Sequence, residues 1–557
     1  MPRNAPTKAA IIVNYEMIFG ELDNPRLDFV KSYPKDLCIG EIASINAYLK
    51  RFTSEDIFNW GEINRQKEVV GHLLTDGVFR DFETALASSI AGSTIPDFII
   101  IHRATCLFAI EEIVGQDENL FEDSNPDAAD EFKEDLFKYL LCINSAVTKG
   151  PSISEHENSL FKAINTRILL FNQTNLVIDP FLTPSYSIDL VRFLTSHPRL
   201  SGVFQEFVMS AYGLEAEKLI KYTIKVCFEN ADNTELDSII KYPLDDETRS
   251  FLKSLSGSVE VRDFRKLVSI KKFPIHEVKN DRFIILDRSQ MLIKTYTQLL
   301  NDFWFDCVKK KGIMSIEEYG SVKGQWFEQL VVSKLKLLTA QIKHCLFLNS
   351  EKLTFKIGGE QYEFCDAYLR VGNHIFLFEV KSTLLNDDSK VGMSMEALYG
   401  ENEEKFLDRI GVNQLVERVS RFKELHENFD PRLNSKKSIH IYPVLIFMDN
   451  LFSSLLFPHI LSSEFNKKLE NIEKDKKLNV LRLTTMSIED LDRLRSRIKE
   501  KPKHLVDVIK QAARGKGFVD PFSNYVSKNF GDQPYPEDIL DGIKQVLVSN
   551  ESTTLKQ

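Results

Sequence analysis

Asp366, Glu379 and Lys381 have the types and the spacing for phosphate chemistry. They lie in Gln361–Lys381 (QYEFCDAYLRVGNHIFLFEVK), where apolar and aromatic residues recur on both sides of Gly372-Asn373. That pair tolerates positive φ, so the stretch reads as two strands joined by a tight turn. With Gly372 and Asn373 in the loop, Val371 faces His374, and counting outward sets Asp366 opposite Glu379. Lys381, two residues further on, projects from the same sheet face. Opposed carboxylates repel and weaken a hairpin unless something offsets them, which a divalent cation would do. Two carboxylates and an ammonium on an otherwise apolar hairpin suit Mg²⁺, or Mn²⁺, and phosphodiester hydrolysis.

Glu-x-Lys is common in a chain this charged, and its other occurrences lack that setting. Glu131-Phe132-Lys133 and Glu403-Glu404-Lys405 lie in polar helical or loop segments. Glu277-Val278-Lys279 repeats the same tripeptide, but Lys271, Lys272 and Pro274 precede it and no turn sets an acid opposite. Pro96-Asp97 and Pro126-Asp127 introduce no hairpin. Asp366 followed by Glu379-Val380-Lys381 resembles the pattern of the PD-(D/E)XK (restriction endonuclease-like) nuclease superfamily, with Cys365 where the pattern has proline. The carboxylate, not the proline, binds the metal. The resemblance implies that Asp366 and Glu379 hold Mg²⁺ with the Val380 carbonyl as a further ligand. It implies too that Lys381 orients or deprotonates the attacking water.

The elements that must position these groups can be read from periodicity. A helix over Gln325–Leu338 precedes a strand near Lys352–Ile357 and the hairpin. A long helix over Asp408–Asn428, strands over Ile439–Met448 and Leu478–Leu483, and a helix over Ile488–Lys499 capped by Ser487 and Asp490 follow. This α-β-β-β-α-β order is similar to the restriction-endonuclease-like core and implies an α/β nuclease domain over 311–500. Glu328, beside Phe327, Val331 and Val332, lies near an apolar face where a carboxylate needs a partner. By resemblance it is a metal-reaching glutamate of the first core helix. Gln414 occupies a helix that carries a functional glutamine in some branches, and Arg418 lies one turn on, where a phosphate contact and a solvated helix face are equal readings.

Residues 1–310 read as a large, mainly α-helical regulatory or recognition region, with helices expected over Glu41–Phe52, Asn64–Leu74, Asp97–Val114, Glu131–Ala146 and Val203–Phe228. Asp97 is expected to cap its helix. Arg282–Lys311 reads as a short strand and one amphipathic helix stopped by Gly312, with Trp304 and Phe305 as packing residues. A pattern break is expected over Lys310–Gly324, and 501–557 is a C-terminal extension. Glu155, His156 and Glu157 lack a second histidine at metal-ligand spacing. The basic turn Ala513–Phe518 (ARGKGF) has the exposed N–H groups and cations to hold a phosphate.

The chain has 557 residues and net charge −10. Residues 301–557 carry 38 basic against 37 acidic side chains, which leaves 33 against 44 on residues 1–300. The acidity thus belongs to the N-terminal half and does not exclude nucleic acid from the C-terminal half. Seven scattered cysteines without a Cys-x-x-Cys pair exclude a zinc ribbon or disulfide framework and fit a reducing cytoplasm. No segment approaches the roughly 20 apolar residues of a membrane span, and the N-terminus is a poor secretory signal. The expectation is a cytoplasmic, Mg²⁺-dependent endonuclease, on DNA rather than RNA, of a bacterial defence or restriction-like kind, with a protein partner for the helical half. The alternative is a catalytically silent or partner-activated nucleic-acid-binding or assembly protein that retains the fold.

Overall fold

Gly372 takes φ +63°, a left-handed conformation open to glycine without strain, and the chain reverses there. The strands on either side, Ala367–Val371 and His374–Lys381, pair antiparallel with Val371 opposite His374 and Ala367 opposite Phe378. Asp366 stands one residue outside this ladder, and its side chain accepts the Val380 N–H. This computed structural model describes residues 10–49, 63–91, 97–123, 129–149, 170, 174, 178–229, 240, 244–279, 281–340, 342–400, 402–453, 456–470, 477–500, 504–514, 519, 521–530 and 534–548. Glu155, His156, Glu157 and residues 515–518 of the basic turn lie outside them.

The chain forms a helical region and an α/β region with a mixed sheet, and it divides into two compact units. One comprises Met1–Ser154, Val177–Lys310 and Val546–Gln557, and the other Lys311–Gln545 with Glu155–Leu176. In the first unit, helices Lys35–Leu49, Arg103–Val114 and Ala129–Thr148 pack together. Asp97 caps no helix: it opens a strand, Asp97–Ile99, parallel to Ala10–Ile12. The β-favouring run Phe98–Ile101 outweighs the helical spacing. The helix starts at Arg103, capped by His102, whose Nδ1 accepts the Ala104 N–H at 3.2 Å. Burial pushes that imidazole down to about 4, which keeps it a neutral acceptor. Gly213 (φ +67°) splits the expected helix Val203–Phe228 into Ser201–Tyr212 and Ala216–Glu229.

The expected single helix before Lys311 is also divided. Arg282–Ile285 pairs with Ile275–Val278, and helices Arg288–Lys294 and Thr297–Phe303 end in a π-helical turn at Trp304–Val308. The break falls at Thr295-Tyr296, two weak helix formers. Trp304 is buried, whereas Phe305 is 56% exposed with the Lys309 ammonium 5.6 Å from its ring centroid.

The second unit opens with α1 (Ile316–Thr339). Its first turn is a capping box in which Ser315 Oγ accepts the Glu318 N–H at 3.1 Å while Glu318 Oε2 accepts the Ser315 N–H at 2.8 Å. This box carries the helix through the expected break at Lys310–Gly324. Then come β1 (Cys345–Asn349), β2 (Thr354–Ile357), β3 (Glu360–Glu363), β4 (Ala367–Val371), β5 (His374–Lys381), α2 (Val412–Leu425), β6 (Ile439–Phe447), α3 (Leu456–Glu470), β7 (Leu478–Val480), β8 (Thr484–Ser487) and α4 (Ile488–Glu500). The sheet order is β7-β6-β5-β4-β1, with β8 also on β6. Pairing is antiparallel from β1 to β5 and parallel from β5 onward.

Two corrections concern strands. The expected strand near Lys352–Ile357 exists as β2, but it pairs only with β3 as a separate hairpin, and β1 takes the sheet position beside β4. The stretch before the Gly-Asn turn is not one strand either, because the ladder stops between Glu363 and Ala367. The expected helix Asp408–Asn428 is interrupted at Gly411 (φ +87°). Ser487 ends β8 and caps α4 as expected: its N–H donates to Asp490 Oδ2 at 2.8 Å, and its Oγ accepts the Asp490 N–H at 3.3 Å.

Side chains from one sheet face pack with α2 and α3: Phe364, Ile375, Leu377, Leu415, Phe422 and Phe447 are all fully buried. Each such group contributes roughly 1.5–3 kcal/mol, so apolar burial fixes the sheet and the charged edge is carried by it. Among the described residues no helix is long and apolar enough to cross a membrane.

Candidate active site

The charged groups gather where β5 ends and β4 begins. Asp366 precedes β4, and its Oδ2 accepts the Val380 N–H at 2.6 Å. This bond pins the carboxylate to the tripeptide that carries Glu379 and Lys381. Glu379 is 4% exposed, and Lys381 Nζ donates to its Oε1 at 2.7 Å. Glu328 reaches the same place from α1, held by Ser350 Oγ, which donates to Glu328 Oε1 at 2.7 Å.

One carboxylate oxygen from each of Glu328, Glu363 and Asp366 lies within 4.8 Å of the other two. Glu363 has no role in the sequence reading. In a straight strand, residues three apart point to opposite faces. The break between β3 and β4 at Phe364-Cys365 removes that alternation and lets Glu363 join Asp366. Glu379 is outside the trio, with Oε1 accepting from Lys381, but its charge acts on it. Asp366 is pushed well above the ordinary carboxylate range, by burial first and by Glu379 second, against the opposing Val380 N–H and Lys381. Glu363 is raised by burial and then by Glu328 and Glu379, with Arg418 and Lys381 opposing. Three carboxylate oxygens this close could hold Mg²⁺ or Mn²⁺, which would offset the mutual repulsion that adds to the effect of burial.

Gly411 shapes the other wall. It precedes α2 with φ +87°, and a Cβ there would stand 2.6 Å from Lys381 Cε, 2.9 Å from Glu379 Cγ and 3.1 Å from Leu445 Cδ2. The Glu379 and Lys381 chains therefore run across the face of a glycine, in space that any other residue would fill. The one sequence signal for it is a glycine inside a helical pattern.

Gln414 lies one turn on. Its Oε1 is buried and, among the described residues, accepts no hydrogen bond. Arg418, one turn further, is already engaged: Nη1 donates to Tyr362 Oη at 2.8 Å and pairs with Glu417 Oε2 at 2.9 Å. The Arg418 and Arg421 guanidiniums lie 5.0 and 4.7 Å from the Tyr362 ring centroid.

The competing tripeptide has no such surroundings. Glu277 is opposite Phe283 in its hairpin, its carboxylate stands 3.5 Å from the Lys253 ammonium, and Lys279 pairs with Asp123 at 2.8 Å. Cys365 is buried in the core, with Sγ 3.3 Å from the Ala367 carbonyl oxygen.

Comparison with protein-family models, with curated proteins and with solved structures finds no match for this chain.

Proposed function

We propose that the chain is a metal-dependent phosphodiester hydrolase, an endonuclease acting on DNA, and that its centre is the carboxylate group around Asp366. The observation that carries this reading is the meeting of groups at the hairpin's end: Asp366 accepts the Val380 N–H between Glu379 and Lys381, with Glu328 and Glu363 in reach of Asp366. The succession α1-β1-β4-β5-α2-β6, with an antiparallel trio followed by a parallel strand, supports the resemblance to the restriction-endonuclease-like core. Glu328, Glu363 and Asp366 would hold Mg²⁺, with Glu379 and the Val380 carbonyl at its border. When bound, the ion supplies charge for a developing phosphorane and a more acidic water. Lys381, released from Glu379, orients that water and offsets charge on the phosphate oxygens. A bacterial defence role belongs to the same proposal, by resemblance of architecture.

The test is incubation of the purified chain with plasmid and with RNA, in Mg²⁺ or EDTA, alongside calorimetric Mg²⁺ binding. Asp366→Ala loses cleavage and ion binding. Lys381→Ala loses cleavage but keeps the ion, because an ammonium does not ligate Mg²⁺. Full cleavage by Lys381→Ala would reduce that lysine to a structural partner of Glu379 and move the centre elsewhere.

A further inference from the structure

Lys323 is an ammonium drawn inward without an acceptor. It lies on α1, five residues before Glu328. A Cβ built on Gly324, the next residue, would be 3.8 Å from Ser382 Oγ, so this turn of α1 lies against the chain leaving β5 just after Lys381. The same corner holds the end of β6, because the Met448 N–H donates to the Lys381 carbonyl at 3.0 Å. Asp449 follows, and its charge is what acts on Lys323. Both of its oxygens are committed elsewhere, Oδ2 to the Leu385 N–H at 2.9 Å and Oδ1 to the Leu451 N–H at 3.0 Å.

Among the described residues Lys323 makes no hydrogen bond and no ion pair, while burial disfavours its charge. Two other inward lysines of the same unit are matched, Lys334 with Asp492 at 3.5 Å and Lys381 with Glu379 at 2.7 Å. A half-buried cation without a direct ion pair loses hydration that nothing fully replaces, and this one stands at the carboxyl ends of two parallel strands, where α/β sheets bind ligands.

We propose that Lys323 contacts a backbone phosphate of the nucleic-acid strand, next to the phosphate placed at Asp366 and Lys381. The inference rests on the proposed nuclease reading. The carboxylates and Lys381 lie over the ends of β4 and β5, and Lys323 lies over β5 and β6. A strand crossing the three strand ends would set one phosphate against each. The lysine supplies position and charge, and no step of the hydrolysis passes through it.

The experiment uses the whole chain in EDTA, where no strand is cut, and measures binding of a DNA duplex across a salt series. Lys323→Met is expected to weaken binding about tenfold at low salt and to lower the slope of log affinity against log salt by about one phosphate contact. Lys323→Arg keeps both. Because the lysine makes no direct ion pair, Lys323→Met melts at the same temperature as wild type or higher, a result that a structural lysine would not give. Unchanged affinity and slope in Lys323→Met, with DNA still bound by wild type, overturns this inference and leaves the nuclease reading standing. Absence of DNA binding by wild type overturns both. A melting shift with inorganic phosphate that depends on Lys323, without any Lys323 effect on DNA, assigns the lysine to a free anion instead of a strand.

Discussion

Asp366 governs how the metal-free chain should respond to pH. Its carboxyl is raised by burial and by Glu379, and an acid whose pKa is higher folded than unfolded stabilises the fold while protonated. That contribution is complete below the unfolded value of about 3.9 and is lost as pH rises through the folded one. The stability of wild type relative to Asp366→Asn should therefore fall from acid toward neutral pH in EDTA. Mg²⁺ should restore it in wild type alone. Thermal melts of both chains from pH 4 to 8, with and without the ion, check this. Gly411 is a second residue with a sharp expectation. Gly411→Ala places a methyl against Lys381 and Glu379 and adds about 1–2 kcal/mol of left-handed strain, and a displacement of about 1 Å costs roughly 100-fold in rate. Gly312→Ala, at φ +61° with open space around it, carries the strain alone and should cut at the wild-type rate. In the Lys381→Ala background the folding penalty of Gly411→Ala should shrink, which denaturant melts measure whether or not the chain is a nuclease. The meeting of Asp366 with Glu379-Val380-Lys381 was legible because a Gly-Asn turn fixes register. Glu363 and Gly411 were not, since one depends on a strand break and the other on an atom that is missing.

At the scale of elements, two hairpins carry Glu-Val-Lys and differ in what lies across from the glutamate. β4 ends one residue short of an aspartate, whereas Phe283 faces Glu277. Replacing both Glu277 and Lys279 by alanine removes only contacts to Lys253 and Asp123, and should leave cleavage and Mg²⁺ affinity unaltered. A loss of cleavage in that double variant would transfer the site to the first unit. Strong signals gave the right elements here: the continuous apolar run Ile375–Phe378 before Lys381, the apolar run of β6, and Ser487 with Asp490 ahead of α4. Weak ones misled. β1 is a short run between a helix and the hairpin. Its composition does not set it apart from β2, which lies in a two-stranded sheet of its own. Periodicity reports which faces are apolar, and it is silent on which strand becomes the neighbour of which.

For the whole molecule, the division at Lys310 predicts that a fragment from Lys311 to Gln545 retains helix and sheet by circular dichroism and binds Mg²⁺ as the full chain does. An unfolded fragment would mean that the two units depend on a common core. The charge imbalance between the halves was countable from the sequence, but which distant segments pack together was not, since such contacts leave no local pattern. The seven cysteines offer a way to watch the two units separately. All are unpaired thiols, five of them in the first unit and Cys345 and Cys365 in the second. Burial pushes Cys38, Cys106, Cys142 and Cys227 up to about 12 and raises Cys365 well above its usual value. A thiol reacts as its thiolate, so near pH 8 an alkylating reagent reaches these sulfurs only when the surrounding structure opens. Mass spectrometry of pulse-alkylated peptides then times the opening of each unit in one sample, and Cys365, one residue from Asp366, serves as a clock on the carboxylate cluster itself.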